Sequence, residues 1–523
     1  MKKIQYLLVL ALVGLFAASC SEGYLTQEPG GSTITKEQYL RMDNIVEGTV
    51  KGMYTMLYSY GGEHDVFGQR SIDMYGDLLC GDMALKTRNY GWFSTDELMQ
   101  TYGRRGYYWA YYYDFIRSAN IGILSLSKTQ LPTLTFDEAK ATDEELLRGN
   151  YYAQLLTMRG WAYAGLSRTF MEVGAVGSEL AVPIYTEEDA AIDTLLGRPR
   201  ATSADVYLRI EEDLQTAIQF FDAYKKVPRA SKIEANIDMA RIILAYSYLN
   251  KGEYANAFKY ATQAIDSGKP HLLPKAEVLT TGFNNVENQN WIWGQDVTVE
   301  TTTSLASFFG QCDIYSYSYA SAGDVKGIDE NLYNEIKDWD IRKNWWNNYG
   351  SSSKKNASNY KYAPDGKFYS AKSKTLQGDR DWLSDNIFMR WELAYLIAAE
   401  AAARDNNLTD AVKYLTEITK LRVLDGKDTE YTAWESTLTD LTTVLAAIKH
   451  NWRVEMWGEG YGLQTFRRYG ESVKLGNNHL RSEKNITPTT IRIFTFELPT
   501  SELEYNPYIR EAATGETQIM RQQ

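Results

Sequence analysis

Residues 236–268 read NIDMARIILAYSYLNKGEYANAFKYATQAIDSG, and the spacing of small and apolar side chains in this stretch decides the fold class. Ala240, Leu244, Ala245 and Tyr248 recur at helical spacing on one face. Asn250 to Glu253 make a polar turn that contains Gly252, and Ala257, Tyr260, Ala261, Ala264 and Ile265 return as a second helical stripe. The pattern is a helical hairpin. Ala245 and Ala257 let the two helices approach closely while Tyr248 fills the groove between them.

The same pattern recurs outward from this stretch. Over residues 393–421, Ala398, Ala399 and Ala402 match the first helix, Asp405, Asn406 and Asn407 the turn, and Ala411, Tyr414, Leu415 and Ile418 the second helix. The small-and-aromatic spacing is that of a tetratricopeptide repeat. A third copy is split: Met158 to Arg168 reads as a first helix with Gly160 and Tyr163 in the small and aromatic positions. Residues 174–200 then intervene before a helix from Ser203 to Tyr224, with Ser203 as N-cap and Asp205 in its first turn. A last helical stretch, Leu438 to Trp457, carries Arg453 and Glu455 and runs into Gly458, Gly460 and Gly462. Hairpins of this kind bury their apolar faces only by stacking. The expected fold is mainly α: a scaffold of tetratricopeptide-like helical hairpins, with long loops and a few short strands carrying the ligand site. Two such loops stand out, Trp291 to Gly327, with a short strand or two and then an aromatic, Ser- and Thr-rich segment, and Trp345 to Asp381, rich in Ser, Asn, Lys and Gly. Loops this long in a compact domain point to function.

The N-terminus reads as an address. Lys2 and Lys3 precede an apolar run from Ile4 to Ala18, and Ala17, Ala18 and Ser19 supply small residues before Cys20. Residues 1–19 are therefore expected to be a signal peptide and Cys20 the lipidated first residue of the mature chain; the alternative is an ordinary secretory leader with Cys20 there by chance. An apolar run of about fifteen residues is shorter than the ~20 of a spanning helix. Residues 20–523 are expected to form one body, with an N-terminal half at 20–230 and a C-terminal half at 231–523. The formal charge of −12 becomes −14 without the two lysines (−12 − 2), and no basic cluster stands out, so nucleic acid is not an expected partner. Cys80 and Cys312 are too few for a disulfide framework and too far apart for a CxxC motif; they either pair or are simply buried. With 39 Tyr and 13 Trp, the chain has more amphipathic rings than a core requires, and surplus rings serve surfaces that recognise something.

Several motifs in fixed order extend this reading. Cys20 is followed by Tyr24-Leu25-Thr26 and Pro29. Tyr108-Trp109, Tyr112, Ile116 and Ala119-Asn120 come next, then Arg159 with Trp161-Ala162-Tyr163, Val182-Pro183, and Ile210 with Asp213-Leu214 and Ala217. Farther on stand Arg390-Trp391-Glu392-Leu393, Ala399-Glu400-Ala401, Arg453, Glu455, Glu459-Gly460, and Phe466-Arg467-Arg468-Tyr469-Gly470. Phe496-Glu497-Leu498-Pro499, Glu502 and Asn506-Pro507 close the series. This order resembles the SusD/RagB family of surface lipoproteins over nearly the whole mature chain. Trp391 stands where tyrosine is more usual, and Tyr461-Gly462 and Gln464-Thr465 depart from the family's arginine and aspartate. The resemblance implies a cell-surface lipoprotein of the outer membrane that captures oligosaccharides, or in some members peptides. It would act as a lid on a SusC-like TonB-dependent β-barrel transporter, without catalysis and without a cofactor. Arg453, Glu455, Glu459 and Arg467 would on this view form a charge network where a helix ends.

The residues themselves offer no catalytic constellation. His64, His271, His450 and His479 are scattered without metal-ligand spacing, and no GxSxG, GxxxxGK[ST] or GxGxxG motif occurs. Acidic pairs such as Asp338 with Asp340, or Asp77 with Asp82, have the residue types of a glycosidase, whose chemistry depends on a separation that sequence does not give. A secreted glycosidase and a scaffold that binds only protein are the rival readings. Sugars pack C–H faces on aromatic rings and offer hydroxyls to planar polar groups, and three places supply that mixture. The first is the loop from Asp77 through Asp82 to Asn89, then Tyr90, Trp92 and Phe93. The second is Phe308, Phe309, Gln311, Asp313, Tyr315, Tyr317 and Tyr319, whose three tyrosines alternate with serines so that an extended backbone would put all three rings on one side, as a platform or as one face of a core strand. The third is Trp345 and Trp346, beside Asn347 and Asn348, which are either a ligand surface or a cover for the scaffold.

Overall fold

The computed structural model describes residues 40, 44–93, 104–192, 195–302, 306–347, 357–372, 374–480, 484–487 and 495–509. The leader and Cys20 lie outside these residues. The longer helices are α1 (Ile45–Thr55), α2 (Gln69–Cys80), α3 (Arg105–Thr129), α4 (Asp143–Phe170), α5 (Ser203–Ala223), α6 (Ile237–Lys251), α7 (Tyr254–Ile265), α8 (Trp391–Arg404), α9 (Leu408–Thr419), α10 (Asp428–Glu435), α11 (Leu441–Glu455) and α12 (Gly462–Tyr469). Short strands pair two by two, all antiparallel: β1 (Met83–Leu85) with β5 (Lys326–Ile328), β2 (Leu180–Pro183) with β3 (Arg200–Thr202), β4 (Trp291–Gln295) with β6 (Asn386–Arg390), and β7 (Val473–Lys474) with β8 (Asn485–Ile486). No helix among the described residues is long and apolar enough to cross a membrane.

The helices form one continuous stack. Each of α3 to α9 packs on the next, including α7 on α8, although residues 266–390 separate that pair in sequence. The stretch quoted at the outset is the α6–α7 hairpin. Asn236 caps α6 by accepting from the Met239 N–H, and Gly252, in the left-handed region at φ 86°, ends it. Ala240, Ala245, Ala257, Ala261 and Ala264 are fully buried at the contact. The α8–α9 hairpin repeats the arrangement, with Asn407 accepting from the Asp410 N–H. The split pair is α4 and α5, and a Cβ on Gly160 would stand 2.8 Å from Leu214 Cγ, so only glycine permits this approach. One cap differs from expectation by a residue: Thr202, not Ser203, caps α5 through a reciprocal pair with Asp205, because the Ser203 hydroxyl is drawn off to the Glu179 carbonyl.

The charge network exists around Glu455 and Glu459, as expected, but with other cations. Arg390 bonds Glu455 (2.7 Å) and Glu459 (2.9 Å), Arg422 bonds Glu455 (2.9 Å) and Glu392 (3.1 Å), Arg342 bonds Glu455 (2.8 Å) and Asp340 (2.6 Å), and Lys367 bonds Glu459 (2.7 Å), all buried. Burial raises the Glu455 pKa, but the guanidiniums of Arg422, Arg390 and Arg342 outweigh it and hold the carboxylate well below its usual range. Arg453 is not a member, since it pairs with Asp82, and neither is Arg467, whose guanidinium meets backbone carbonyls. The network ties Asp340, Arg342, Lys367 and β6 to the end of α11. Cys80 and Cys312 are both free and buried, which closes the pairing question in favour of separate thiols.

Candidate functional site

Three loops bring five aromatic side chains together at the surface. The first follows α1, where Tyr60 and Phe67 form an isolated bridge and Gly61 donates to the Val66 carbonyl (3.1 Å), closing a tight turn that presents Tyr60 and His64. Gly62 takes φ 87° in that turn, and a Cβ on Gly61 would stand 2.5 Å from the Tyr107 ring. The second loop follows β1. Its Asn89 and Tyr90 N–H groups both donate to Asp324 Oδ1 (2.5 and 2.9 Å), and the Asn89 side chain reaches the Ala322 carbonyl (3.0 Å). Gly91 at φ 87° turns the chain, and Phe93 drops into the core against Phe67 and Tyr75. Trp92, between these two points, stays half-buried. The third segment is the short helix Tyr319–Ala322, which begins with Tyr319.

The rings form a connected set. His64 lies nearly parallel to Trp92, centroids 5.4 Å apart with 13° between planes, and Tyr319 meets His64 (5.3 Å), Trp92 (6.1 Å) and Tyr90 (5.1 Å) edge-on. Tyr60 stands edge-on to His64 at 6.1 Å, and the Tyr319 hydroxyl is hydrogen-bonded to His64 Nδ1. Tyr60 is 41% and Tyr90 54% exposed, while Arg88 and Asn89 stand exposed alongside them. The result is a partly exposed group of rings flanked by a guanidinium and an amide, the chemistry that suits a ligand with C–H faces and hydroxyls.

A buried polar chain fixes these loops from beneath. Gln311 donates to the His64 carbonyl (2.9 Å), Lys326 Nζ donates to Gln311 Oε1 (2.9 Å) and to the Asp324 carbonyl (3.1 Å), and Asp324 holds the 89–90 backbone. Burial lowers the Lys326 pKa to about 8. The β1–β5 pairing sets this register by placing Leu85 opposite Lys326.

Of the residues singled out in the sequence, the structure gathers Tyr90, Trp92 and Tyr319. Tyr317, 45% exposed with the Arg380 guanidinium 5.4 Å from its ring, joins none of the cluster's ring contacts. The expected row does not form, because the backbone turns at Ser316 to Ser318 instead of extending. Tyr315 is buried, with its hydroxyl bonded to Asp365, in a small core with Ile314 and Val325. Asp313 is buried as a turn-former whose carboxylate accepts from the N–H groups of Tyr315, Ser316 (both 2.9 Å) and Ser370 (3.1 Å). Burial outweighs those donors and raises its pKa to about 7. Asp77 accepts from the N–H groups of Gly458 (2.7 Å) and Gly462 (3.1 Å), and burial with the nearby Asp82 pushes it up to about 8. Asp82 bonds Arg453 Nε (2.7 Å) and is buried. Trp345 is fully buried, with Nε1 donating to the Val278 carbonyl (2.6 Å), and Trp346 is buried edge-on to Trp457. None of Asp77, Asp82, Asp313, Tyr315, Trp345 and Trp346 offers a face to solvent. Tyr60 and His64 were missed. Their signal was the glycine pair Gly61-Gly62 between two rings, a turn that lifts its flanks off the scaffold.

Two family models match this chain: a SusD-like family described as starch-binding associating with outer membrane, over residues 24–244, and the SusD family proper (SusD_RagB), over residues 288–516. A SusD-like protein of Bacteroides ovatus is 24% identical over 285 residues, 53% of this chain and 47% of the relative, so the chain spans about half the length of that curated relative. Among solved structures, a SusD-like carbohydrate binding protein from Bacteroides vulgatus superimposes with a TM-score of 0.72 at 19% identity, covering 89% of this chain and 97% of that one. A SusD superfamily protein from Bacteroides thetaiotaomicron gives 0.69 at 20% identity, covering 91% and 99%. These likenesses share the mainly helical fold.

Proposed function

Because the chain belongs to the SusD/RagB family and is therefore a binding protein and not an enzyme, we propose that it binds oligosaccharides at the Tyr60–His64–Tyr90–Trp92–Tyr319 cluster. On this reading it is anchored at the cell surface through Cys20 and delivers its ligand to a SusC-like TonB-dependent transporter in the outer membrane. The observation that carries the glycan reading is the cluster itself. Rings that would bury 150–250 Å² each in a core are left partly in water, on loops clamped by Asp324 and the Lys326–Gln311 pair. A surface held this firmly while leaving apolar faces exposed is preorganised for a ligand. The anchor and the transporter rest on the resemblance of the leader and on family membership.

The test is titration of the full chain, purified in detergent, with a panel of neutral oligosaccharides and peptides. Saturable binding of an oligosaccharide without turnover supports the reading. Binding of peptides alone would replace the ligand class, and silence across the panel would leave a protein-only lid. Fractionation of cells carrying Cys20→Ala tests the anchor, since one acyl chain holds a protein only marginally and two or three hold it firmly. Wild type is expected in the membrane fraction and the variant in the soluble one.

A further inference from the structure

Most inward-pointing guanidiniums among the described residues meet a carboxylate: Arg159 with Asp213 (2.7 Å), Arg422 with Glu455 (2.9 Å) and Arg468 with Glu400 (2.9 Å) are examples. Arg229, Arg467 and Arg168 do not, and Arg229 gives its donors to the Glu234, Lys232 and Ile292 carbonyls. Arg467 gives Nη1 to the Arg168 carbonyl and Nη2 to the Met171 carbonyl (2.7 Å), both at the C-terminal end of α4. Arg168 gives Nε to the Ala164 carbonyl (3.2 Å), and its guanidinium lies 6.0 Å from the Tyr246 ring. A helix C-terminus offsets about half an elementary charge, so the Arg467 guanidinium there remains undercompensated, whereas the burial of Arg168 is outweighed by Tyr112, Tyr246, Tyr461 and Asp73, which hold its pKa up. Burial lowers the Arg467 pKa to about 10, in keeping with a cation short of a counter-charge.

Both arginines line a cleft of about 210 Å³ between the C-terminal ends of α4 and α6 and helix α12. The other cations there are already answered, Lys251 by Glu211 (2.7 Å) and Glu253 (2.6 Å), and Arg468 by Glu400. Glu172, exposed at the rim, is the one carboxylate among the described residues lining the cleft, and no described ion pair joins it to either arginine. This is a locally positive recess in a chain of formal charge −12.

We propose that this cleft binds a ligand through its carboxylate group, either a small free carboxylate or the acid group of an acidic sugar unit. The planar guanidinium fork matches a carboxylate geometrically, and the partial burial of the cleft strengthens the pairing relative to water. A recess of this size suits a single small unit. The site shares no residue with the aromatic cluster and does not depend on the function proposed for it.

Isothermal titration of the full chain with glucuronate, malonate and glucose tests this, with thermal melting run on every variant. The expected result is binding of at least one acid, no binding of glucose, and weakening as salt rises. Glucuronate alone identifies a sugar-borne acid, malonate alone a free one, and both the carboxylate itself. Arg467→Lys keeps the charge but loses the fork, and about tenfold weaker binding is expected, the worth of one charge-assisted hydrogen bond. Asn250→Asp keeps the acceptor that meets Arg468 at 3.0 Å while placing a carboxylate in the cleft, so the fold is retained and binding is lost. Absence of binding by both acids at millimolar concentration, equal binding of glucose, or wild-type affinity in Asn250→Asp would each overturn the proposal and leave Arg467 as a helix cap only. If Arg467→Lys does not fold, Asn250→Asp decides alone.

Discussion

Trp92→Ala and Trp345→Ala remove the same side chain from two environments that the sequence had grouped together. Trp92 is half-buried, and its described ring contacts are with His64 and Tyr319. At about 0.5–1.5 kcal/mol per aromatic pair, its loss should cost the fold roughly 1–3 kcal/mol and remove a face from the ligand surface. Trp345 is fully buried, bonds the Val278 carbonyl, packs edge-on against Phe283 at 5.6 Å, and has the Lys367 ammonium 4.8 Å from its ring centroid. Its truncation opens a cavity and is expected to cost about 3–5 kcal/mol. Denaturant melts and oligosaccharide titrations on the two variants measure both quantities. The expected pattern is a modest melt shift with weakened binding for Trp92→Ala, and a large shift with retained binding for whatever Trp345→Ala remains folded. Wild-type binding in Trp92→Ala, or weakened binding in Trp345→Ala at an unchanged melting point, would refute the assignment of the surface.

Glu455→Gln removes the carboxylate that Arg342, Arg390 and Arg422 share, and leaving such charges buried without their partner is expected to cost about 3–5 kcal/mol by denaturant melting. Asp77 and Asp313, raised to about 8 and about 7 chiefly by burial, stay protonated in the fold while an unfolded aspartate ionises near pH 4. Their contribution is therefore complete below pH about 4 and is lost as pH rises through 7 and 8, and Asp77→Asn should flatten that fall in melts run from pH 5 to 9. His450 runs the other way, because burial first, then Arg342 and Arg453, lowers it to about 3, so its contribution is lost as pH falls from 6.5 toward 3. Ala257→Leu forces extra methylenes into the fully buried α6–α7 contact and should lower stability by about 1–3 kcal/mol, read as a lower melting temperature.

Helix positions were legible in the sequence because the information is local. Ala240, Ala245, Ala257 and Ala261 repeat at the period of the helix that they build, and Gly252 and Asn406 mark ends that any chain would need. The order of the family motifs was equally local, carried by residues such as Arg390 and Glu455 whose partners come from distant segments but whose own identities stand in the sequence. Placement of the rings was not local. Whether Tyr315 or Tyr319 faces water depends on where the backbone turns at Ser316 to Ser318, and that turn is set by Asp313, by the Ser321 hydroxyl that donates to the Ser316 carbonyl, and by Ser370 and Asp381. Asp77 and Asp82 carry the residue type of a ligand site, yet α11 and the glycine turn after it claim both carboxylates. The sequence by itself determined the helices, their hairpins and the family. Only the tertiary structure decided which polar and aromatic residues met each other first and which were left for a ligand, because a side chain's availability is what remains after its neighbours in space have been satisfied.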